Sequence, residues 1–308
     1  IYCKSCYIID MSQLKLLPER RIIVQEFYHS FSNQKFDLFY NRSNIEKSEE
    51  DFEIHIHDLY EIYYFINGDV TYYIDGHGYH IGAGDLLLIN NQEIHKPVFN
   101  SNLIYERMAV HFAPWYFSKY SSDDFNVLAC FEERQSGHFN RISSSKMEEY
   151  QIDRLLKSVE EYLKKEIAGK EIILESIFVQ ILYLLNQAFE KNRDHDEDSI
   201  IYDEKVSKVI RFINNNLEKK FSLDMLAREF YLDKYYLSHL FKENTGFSLI
   251  QYINYKKIMK ARELLSKDYS CGEVSEKLSF GDYSNFYKSF KKETGISPSE
   301  YQQKSLLY

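Results

Sequence analysis

Phe241-Lys242-Glu243-Asn244-Thr245-Gly246-Phe247-Ser248 returns 49 residues later as Phe290-Lys291-Lys292-Glu293-Thr294-Gly295-Ile296-Ser297, and the same offset carries Tyr252 onto Tyr301. A repeat of this size marks a duplicated supersecondary unit. Ahead of each copy the pattern predicts a short helix, a tight turn and a second helix. The first set covers 223–230, a turn near Tyr231-Leu232, and 234–244. The second covers 272–278, a turn at Ser279-Phe280-Gly281-Asp282, and 283–293. Each is a helix-turn-helix candidate, in which the second helix enters the major groove and so needs two unlike faces. Leu237, Leu240 and Phe241 supply the inward face of the first copy, leaving Tyr235, Ser238, His239 and Lys242 outward. In the second copy Phe286, Ser289 and Phe290 turn inward, leaving Tyr283, Ser284, Tyr287, Lys288 and Lys291 outward. Hydroxyls, an imidazole and ammonium groups can hydrogen-bond base edges or phosphates. The copies are joined by an apolar-striped helix over 249–266 with a basic run, Lys256, Lys257, Lys260 and Arg262.

Charge is divided along the chain in the same sense. The 308 residues carry 38 Lys+Arg and 47 Asp+Glu, a net −9. Residues 203–308 hold 18 and 14, net +4, and the first 202 residues hold 20 and 33, net −13. A mildly basic end behind an acidic front suits a chain whose C-terminal third meets a polyanion. Just upstream, residues 191–203 (KNRDHDEDSIIYD) hold seven charged residues and read as a solvated linker. Before them lie two helices. Ile152, Leu155, Leu156, Val159 and Leu163 recur at helical spacing, and after Gly169-Lys170 so do Ile173, Ile177, Ile181, Leu184, Leu185 and Ala188. The second is apolar over more than one face, so it is expected to be buried on two sides, with one side either a dimer contact or further monomer core.

Residues 20–115 read as all-β. Runs such as VTYYI and DLLLIN are rich in β-branched and aromatic residues, and five of the 11 glycines (Gly68, Gly76, Gly78, Gly82, Gly84) fall between them. A small barrel or sandwich is expected. Within it stands His55-x-His57-x-x-x-Glu61, followed later by His95. Residues two apart share a strand face, so His55 and His57 can converge. Tyr63, Tyr72, Tyr79, Tyr105, Arg107 and His111 lie on the same expected strands, offering stacking faces and donors to a ligand, or else packing the barrel with their hydroxyls toward solvent.

No stretch approaches 18 consecutive apolar residues, so no transmembrane helix is expected. The opening IYCKSCYIID has neither a charged n-region nor a long apolar core and reads as no signal peptide, with Met11 a candidate natural start. Cys3-x-x-Cys6 has no second pair to complete a zinc site, and four cysteines in this length make no disulfide framework.

Residues 203–304 resemble the DNA-binding domain of AraC/XylS-type transcriptional regulators. The resemblance rests on LxxLAxxF at 223–230, YLSHLFKENTG at 236–246, KARELL at 260–265 and SFGDYSNFYKSFKKETGISPSEY at 279–301, with Thr294, Gly295, Ser297, Pro298 and Tyr301 forming the family's closing pattern. It implies a rigid linker helix holding two units over adjacent major-groove segments. It also gives base-reading places to Tyr235, Ser238 and His239, and to Tyr283, Ser284, Tyr287 and Lys288. His239 and Lys288 stand where the family often has Arg, and Ser275 where it commonly has Ala. The His55, His57, Glu61, His95 order is similar to the two cupin motifs, whose corresponding residues ligate a metal. Here Asn90 and Gln92 replace the second motif's Pro and Gly, and Phe99 its usual Asn. Cupin-like front domains of such regulators often keep the remnant without metal. Three uses of the cluster therefore stay open: an effector pocket formed with Tyr63 and Arg107, a metal site, or structural hydrogen bonding.

The expected molecule is an α+β multidomain chain. A cupin-like β-barrel sensor covers 1–145, a two-helix dimerisation element 146–190, a linker 191–203, and an all-α double helix-turn-helix domain 204–308. It is expected to be a non-enzymatic, cytoplasmic, sequence-specific transcriptional regulator without cofactor or resident metal. Its expected partners are an operator duplex, a sugar-like effector and a second copy of itself. RNA polymerase is a further candidate partner, and a membrane is not one. The alternative is a metal-binding cupin sensor or cupin enzyme carrying a DNA-binding tail.

Overall fold

Alternation along one strand sets up the N-terminal unit. In Leu86-Leu87-Leu88-Ile89, Leu86 and Leu88 join one buried cluster, and Leu87 and Ile89 join another. Side chains two apart share a face, so this strand lies between two apolar layers. The computed structural model describes residues 24–32, 36–44, 59–75, 77–101, 103–191 and 203–305, in two compact units. His55, His57, the Cys3–Cys6 pair and most of the expected linker lie outside the described residues.

The strands of the first unit are β1 (Val24–Ser32), β2 (Phe36–Asn44), β3 (Tyr60–Asn67), β4 (Val70–Ile74), β5 (His77–Ile81), β6 (Leu86–Ile89), β7 (His95–Phe99), β8 (Ile104–Phe112) and β9 (Arg141–Ile142). They form a six-stranded sheet, β1-β2-β8-β3-β6-β9, and a three-stranded sheet, β5-β4-β7. Tyr63, Phe65, Leu87, Ile89 and Tyr105 of the large sheet pack with Val70, Tyr72, Ile74, Tyr79 and Ile81 of the small one, which is the interior of the cupin-like barrel. On its other face the large sheet turns Phe36, Leu38, Ile62, Leu88, Val110 and Phe112 toward helices.

Those helices are α1 (Pro114–Phe117), α2 (Ala129–Glu132), α3 (Ser144–Glu149), α4 (Ile152–Leu163) and α5 (Lys170–Glu190). Ile152, Leu156, Val159 and Leu163 of α4, and Leu174, Phe178, Ile181, Leu182 and Leu185 of α5, share the sheet's core. Helix α5 is the long apolar one. By length and composition it is apolar enough to cross a membrane. Its buried residues include a polar one, Asn186, which accepts from the Cys130 N–H at 2.8 Å and donates to the Val127 carbonyl at 2.6 Å. The helix is thereby fastened to its own domain, as a core helix is.

A buried ion pair ties the loop between β6 and β7 to the segment after α2. Arg134 Nη1 and Nη2 each lie 2.5 Å from a Glu93 oxygen, and both side chains are fully buried. The same carboxylate accepts from the N–H of Gly137 at 2.8 Å and of Asn90 at 3.0 Å, and from Asn140 Nδ2 at 3.1 Å. Arg134 also donates to the Leu88 and Cys130 carbonyls at 3.0 Å. A buried charge with this many partners is tolerable, whereas either charge alone is not.

The second unit is all helical: α6 (Glu204–Asn214), α7 (Leu223–Glu229), α8 (Lys234–Thr245), α9 (Leu249–Leu265), α10 (Cys271–Lys277), α11 (Tyr283–Thr294) and α12 (Pro298–Ser305). Its repeat has a mechanical meaning. Gly246 and Gly295 end α8 and α11 in the left-handed region (φ +69° and +77°), where a side chain would be strained. The preceding Thr245 and Thr294 donate back to the Phe241 and Phe290 carbonyls at 2.7 and 2.8 Å. Ser248 and Ser297 then start the next helices, exchanging hydrogen bonds with Gln251 and Glu300. Phe241 meets Tyr252 edge-on at 5.5 Å, and Phe290 meets Tyr301 at 5.5 Å. The repeated letters are thus a helix stop, a helix start and the contact that sets the angle between them.

The helix-turn-helix turns also match. The N–H groups of Leu232 and Phe280 donate to the Ala227 and Ser275 carbonyls at 2.9 and 3.2 Å, with Tyr231 and Ser279 at φ +54° and +50°. Left-handed backbone costs a non-glycine residue about 1–2 kcal/mol.

Two stability outcomes follow from these contacts. Arg134→Met strands the Glu93 carboxylate and should destabilise the N-terminal unit by about 3–5 kcal/mol; an unchanged calorimetric melting transition would refute this. Tyr231 is 95% exposed and so packs against little. Tyr231→Gly should therefore raise the urea midpoint of helix loss, a gain of about 1 kcal/mol, and a lower midpoint would show that the turn is not strained.

Candidate functional site

Two places concentrate polar side chains where the fold does not require them. In the N-terminal unit the inward positions of β3 and β8 carry Glu61, Tyr63, Tyr105, Arg107 and His111 among apolar neighbours. Register sets Glu61 opposite His111, whose Nε2 is 3.3 Å from Glu61 Oε2. His95, at the start of β7, brings its Nε2 to 3.2 Å from the same oxygen. Its Nδ1 lies 2.9 Å from the Glu93 carbonyl, which can only accept, so that nitrogen carries hydrogen. Tyr72 stacks on His95 with ring centroids 6.2 Å apart and meets Tyr63 at a tilt, 4.7 Å away. The Tyr63 and Tyr105 hydroxyls hydrogen-bond one another, and the Arg107 guanidinium sits 4.8 Å from the Tyr105 ring.

Burial pushes the Tyr63, Tyr72 and Tyr105 phenols up and keeps them neutral. For Arg107, burial acts to lower the pKa, but the phenols of Tyr105, Tyr63 and Tyr72 and the Glu61 carboxylate outweigh it and raise the group overall. The cluster therefore holds a permanent cation, a carboxylate and two imidazoles inside apolar walls.

Of the sequence-predicted pocket residues, Glu61 and His95 meet directly, and Tyr63 and Arg107 lie on the same inner wall. His55 and His57 are outside the described residues. The tyrosine hydroxyls do not face solvent: Tyr79, for example, donates to the Gly137 carbonyl at 2.6 Å. The imidazoles are directed at a carboxylate oxygen rather than at a shared centre, and among the described residues no group of three or more His, Cys, Asp or Glu is arranged to hold a metal ion.

In the C-terminal unit Asp233 and Asp282 cap α8 and α11, accepting from Tyr235 N at 2.9 Å and Asn285 N at 2.7 Å. On α8, Tyr235 (74%), His239 and Lys242 are exposed and share a face at helical spacing, whereas Ser238 is half-buried. His239 Nδ1 lies 3.2 Å from Glu243. On α11, Tyr283, Ser284, Lys288 and Lys291 are exposed, and Tyr287 is half-buried beside Tyr283 with ring centroids 6.4 Å apart. The basic run on α9 does not form a surface. Lys257 and Arg262 are buried, because α9 is enclosed by α8, α10, α11 and α12. Lys256 and Lys260 of the same run are half-buried.

Comparison with known proteins agrees with this division. Residues 45–150 match the AraC-like ligand binding domain, and residues 226–304 match a helix-turn-helix domain. The HTH-type transcriptional activator RhaS of Salmonella arizonae is 24% identical over 82% of this chain and 88% of its own length. The regulatory protein PocR of Salmonella typhimurium is 33% identical over 33% of this chain and 34% of its own. Among solved structures, the C-terminal domain of AraT, a response regulator from Geobacillus stearothermophilus, is 25% identical over 34% of this chain and 88% of that one, with a TM-score of 0.33.

Glu61→Leu removes the carboxylate that two buried imidazoles approach. It should cost the N-terminal unit about 1–3 kcal/mol, read as a lower midpoint of thermal melting. An unchanged midpoint would mean that these contacts do not contribute to the barrel.

Proposed function

Because this chain belongs to the AraC-type transcriptional regulators, we propose that it binds one operator through both recognition helices and changes that binding when a small polar effector enters the barrel. The observation that carries the proposal is the matched exposure of two helix faces in one domain, Tyr235, His239 and Lys242 on α8 and Tyr283, Ser284, Lys288 and Lys291 on α11. Ser238 and Tyr287 border these faces and complete the reading set. Lysines that reach a guanine edge discriminate sequence, whereas those that reach phosphate do not.

The effector class we assign is a sugar or related hydroxyl-bearing metabolite. Glu61, His95, His111 and Arg107 offer donors and acceptors in fixed directions, and Tyr63, Tyr72 and Tyr105 offer ring faces, the mixture that small polar ligands require. An effector acts by its differential affinity for two arrangements of the protein, shifting the population toward the one it binds better. The chain acts as a homodimer in this reading, with α4 and α5 as the pairing element, in the cytoplasm where operator DNA is met. No catalytic role is assigned. RNA polymerase becomes a partner where the chain activates, as RhaS is named to do.

The test is binding of the full chain to a site selected from a random duplex pool. Lys288→Ala should lose about 1–3 kcal/mol on the selected site and less on random DNA. Equal losses on both would assign Lys288 to phosphate alone. Footprints on that site should change with at least one member of a sugar panel, and identical footprints throughout would overturn the effector class.

A further inference from the structure

A buried ammonium lies where the two helix-turn-helix units meet. Lys257, in the middle of α9, is 4% exposed and, among the described residues, reaches no carboxylate. Its Nζ lies 2.9 Å from the carbonyl of Lys219, in the loop leading into α7 of the first unit. It lies 2.6 and 3.4 Å from the carbonyls of Leu278 and Ser279, in the turn of the second. An ammonium has three donors and no acceptor capacity, so these three carbonyls use all of it. The Phe221 and Phe280 rings, one from each side, stand 5.6 and 5.7 Å away.

The same loop and turn are joined twice more. Ser279 Oγ donates to the Glu218 carbonyl at 2.5 Å, and Lys277 Nζ lies 3.4 Å from a Glu218 oxygen. Carbonyls at helix ends and in turns lack backbone partners and normally turn to solvent. Here those of two separate units turn inward onto one cation.

We propose that Lys257 is a positioning residue that sets the spacing between the two recognition helices, and with it the separation of the two DNA segments the chain reads together. The first unit's loop leads into α7, which packs on α8, and the second unit's turn leads straight into α11. Fixing loop to turn fixes α8 to α11. Helix α9 alone does not do this, because apolar packing allows small slides that directional bonds from one charge do not. Burial draws the Lys257 ammonium down to about 8, so it remains mostly charged at neutral pH. The inference rests on the proposed two-helix reading of DNA.

The full chain first selects a two-part site from a random duplex pool, and that site is then remade with one or two base pairs inserted between its halves. The wild type should prefer the selected spacing by about a hundredfold, the advantage of two joined contacts over one. Lys257→Met keeps the volume and apolar stem but donates nothing; its preference should fall to about tenfold or less, with affinity for each half-site alone unchanged. Ser279→Ala, which removes one tie without emptying a buried site, should move the preference in the same direction by a smaller factor. It carries the test if Lys257→Met does not fold, judged by circular dichroism. A merely structural role for Lys257 predicts equal loss at all spacings. That result, or unchanged spacing preference in the folded variants, overturns the inference and leaves the two-helix reading standing. A pool that yields only one-part sites overturns both.

Discussion

Both faces of the six-stranded sheet are buried along its central strands β3 and β6, and the rest of the N-terminal unit follows from that constraint. A sheet with one wet face alternates apolar and polar residues, whereas one covered on both sides must be apolar throughout. Leu86 to Ile89 meets this demand, and the helices exist to complete it: without α4 and α5, Leu88, Val110 and Phe112 would face water. The constraint also gives meaning to its exceptions. Where an interior must be apolar, Glu61, His95, His111 and Arg107 are expensive placements, and such groups persist when they have partners or a task. The polar cluster stands out because everything around it obeys the rule.

In the C-terminal unit the limiting problem is how to stop helices. Seven helices in about a hundred residues need many ends, and each end leaves backbone groups without partners. Thr-Gly-x-Ser solves the problem twice with the same chemistry. At the recognition turns it is solved less cheaply, with Tyr231 and Ser279 in left-handed backbone. Lys257 settles a third case by turning three carbonyls of different segments onto one cation.

The helical third was legible almost residue by residue because its signals are local. Caps, αL glycines and the apolar period all lie within a few residues of what they determine, and the expected ends of α7, α8, α10 and α11 fall within one residue of those observed. The β-unit was legible in kind only. Glu61 and His95 were singled out together, but the partnership with His111 depends on β3 pairing with β8 across some fifty residues. The Glu93–Arg134 pair gave no signal, since a Glu and an Arg forty-one positions apart look like any two surface charges. For the same reason the basic run on α9 gave no sign that Lys257 and Arg262 are buried. Composition records charge but not which side of a helix is enclosed.

The burial of Lys257 and Arg262 alters the electrostatic argument for DNA. A C-terminal net charge of +4 was already small, and two of its cations are enclosed by neighbouring helices. The remaining surface is barely basic, so counterion release over a broad patch is a weak source of affinity. In the proposed reading, binding then comes from a few placed contacts on each helix, and weak contacts become selective only when two sets engage at once. Simultaneous engagement requires that the helices be held at one separation. A chain with little general attraction for DNA thus depends more than a strongly basic one on the rigidity of the joint between its two reading heads. Burying a lysine in that joint removes charge from the surface and spends it on geometry.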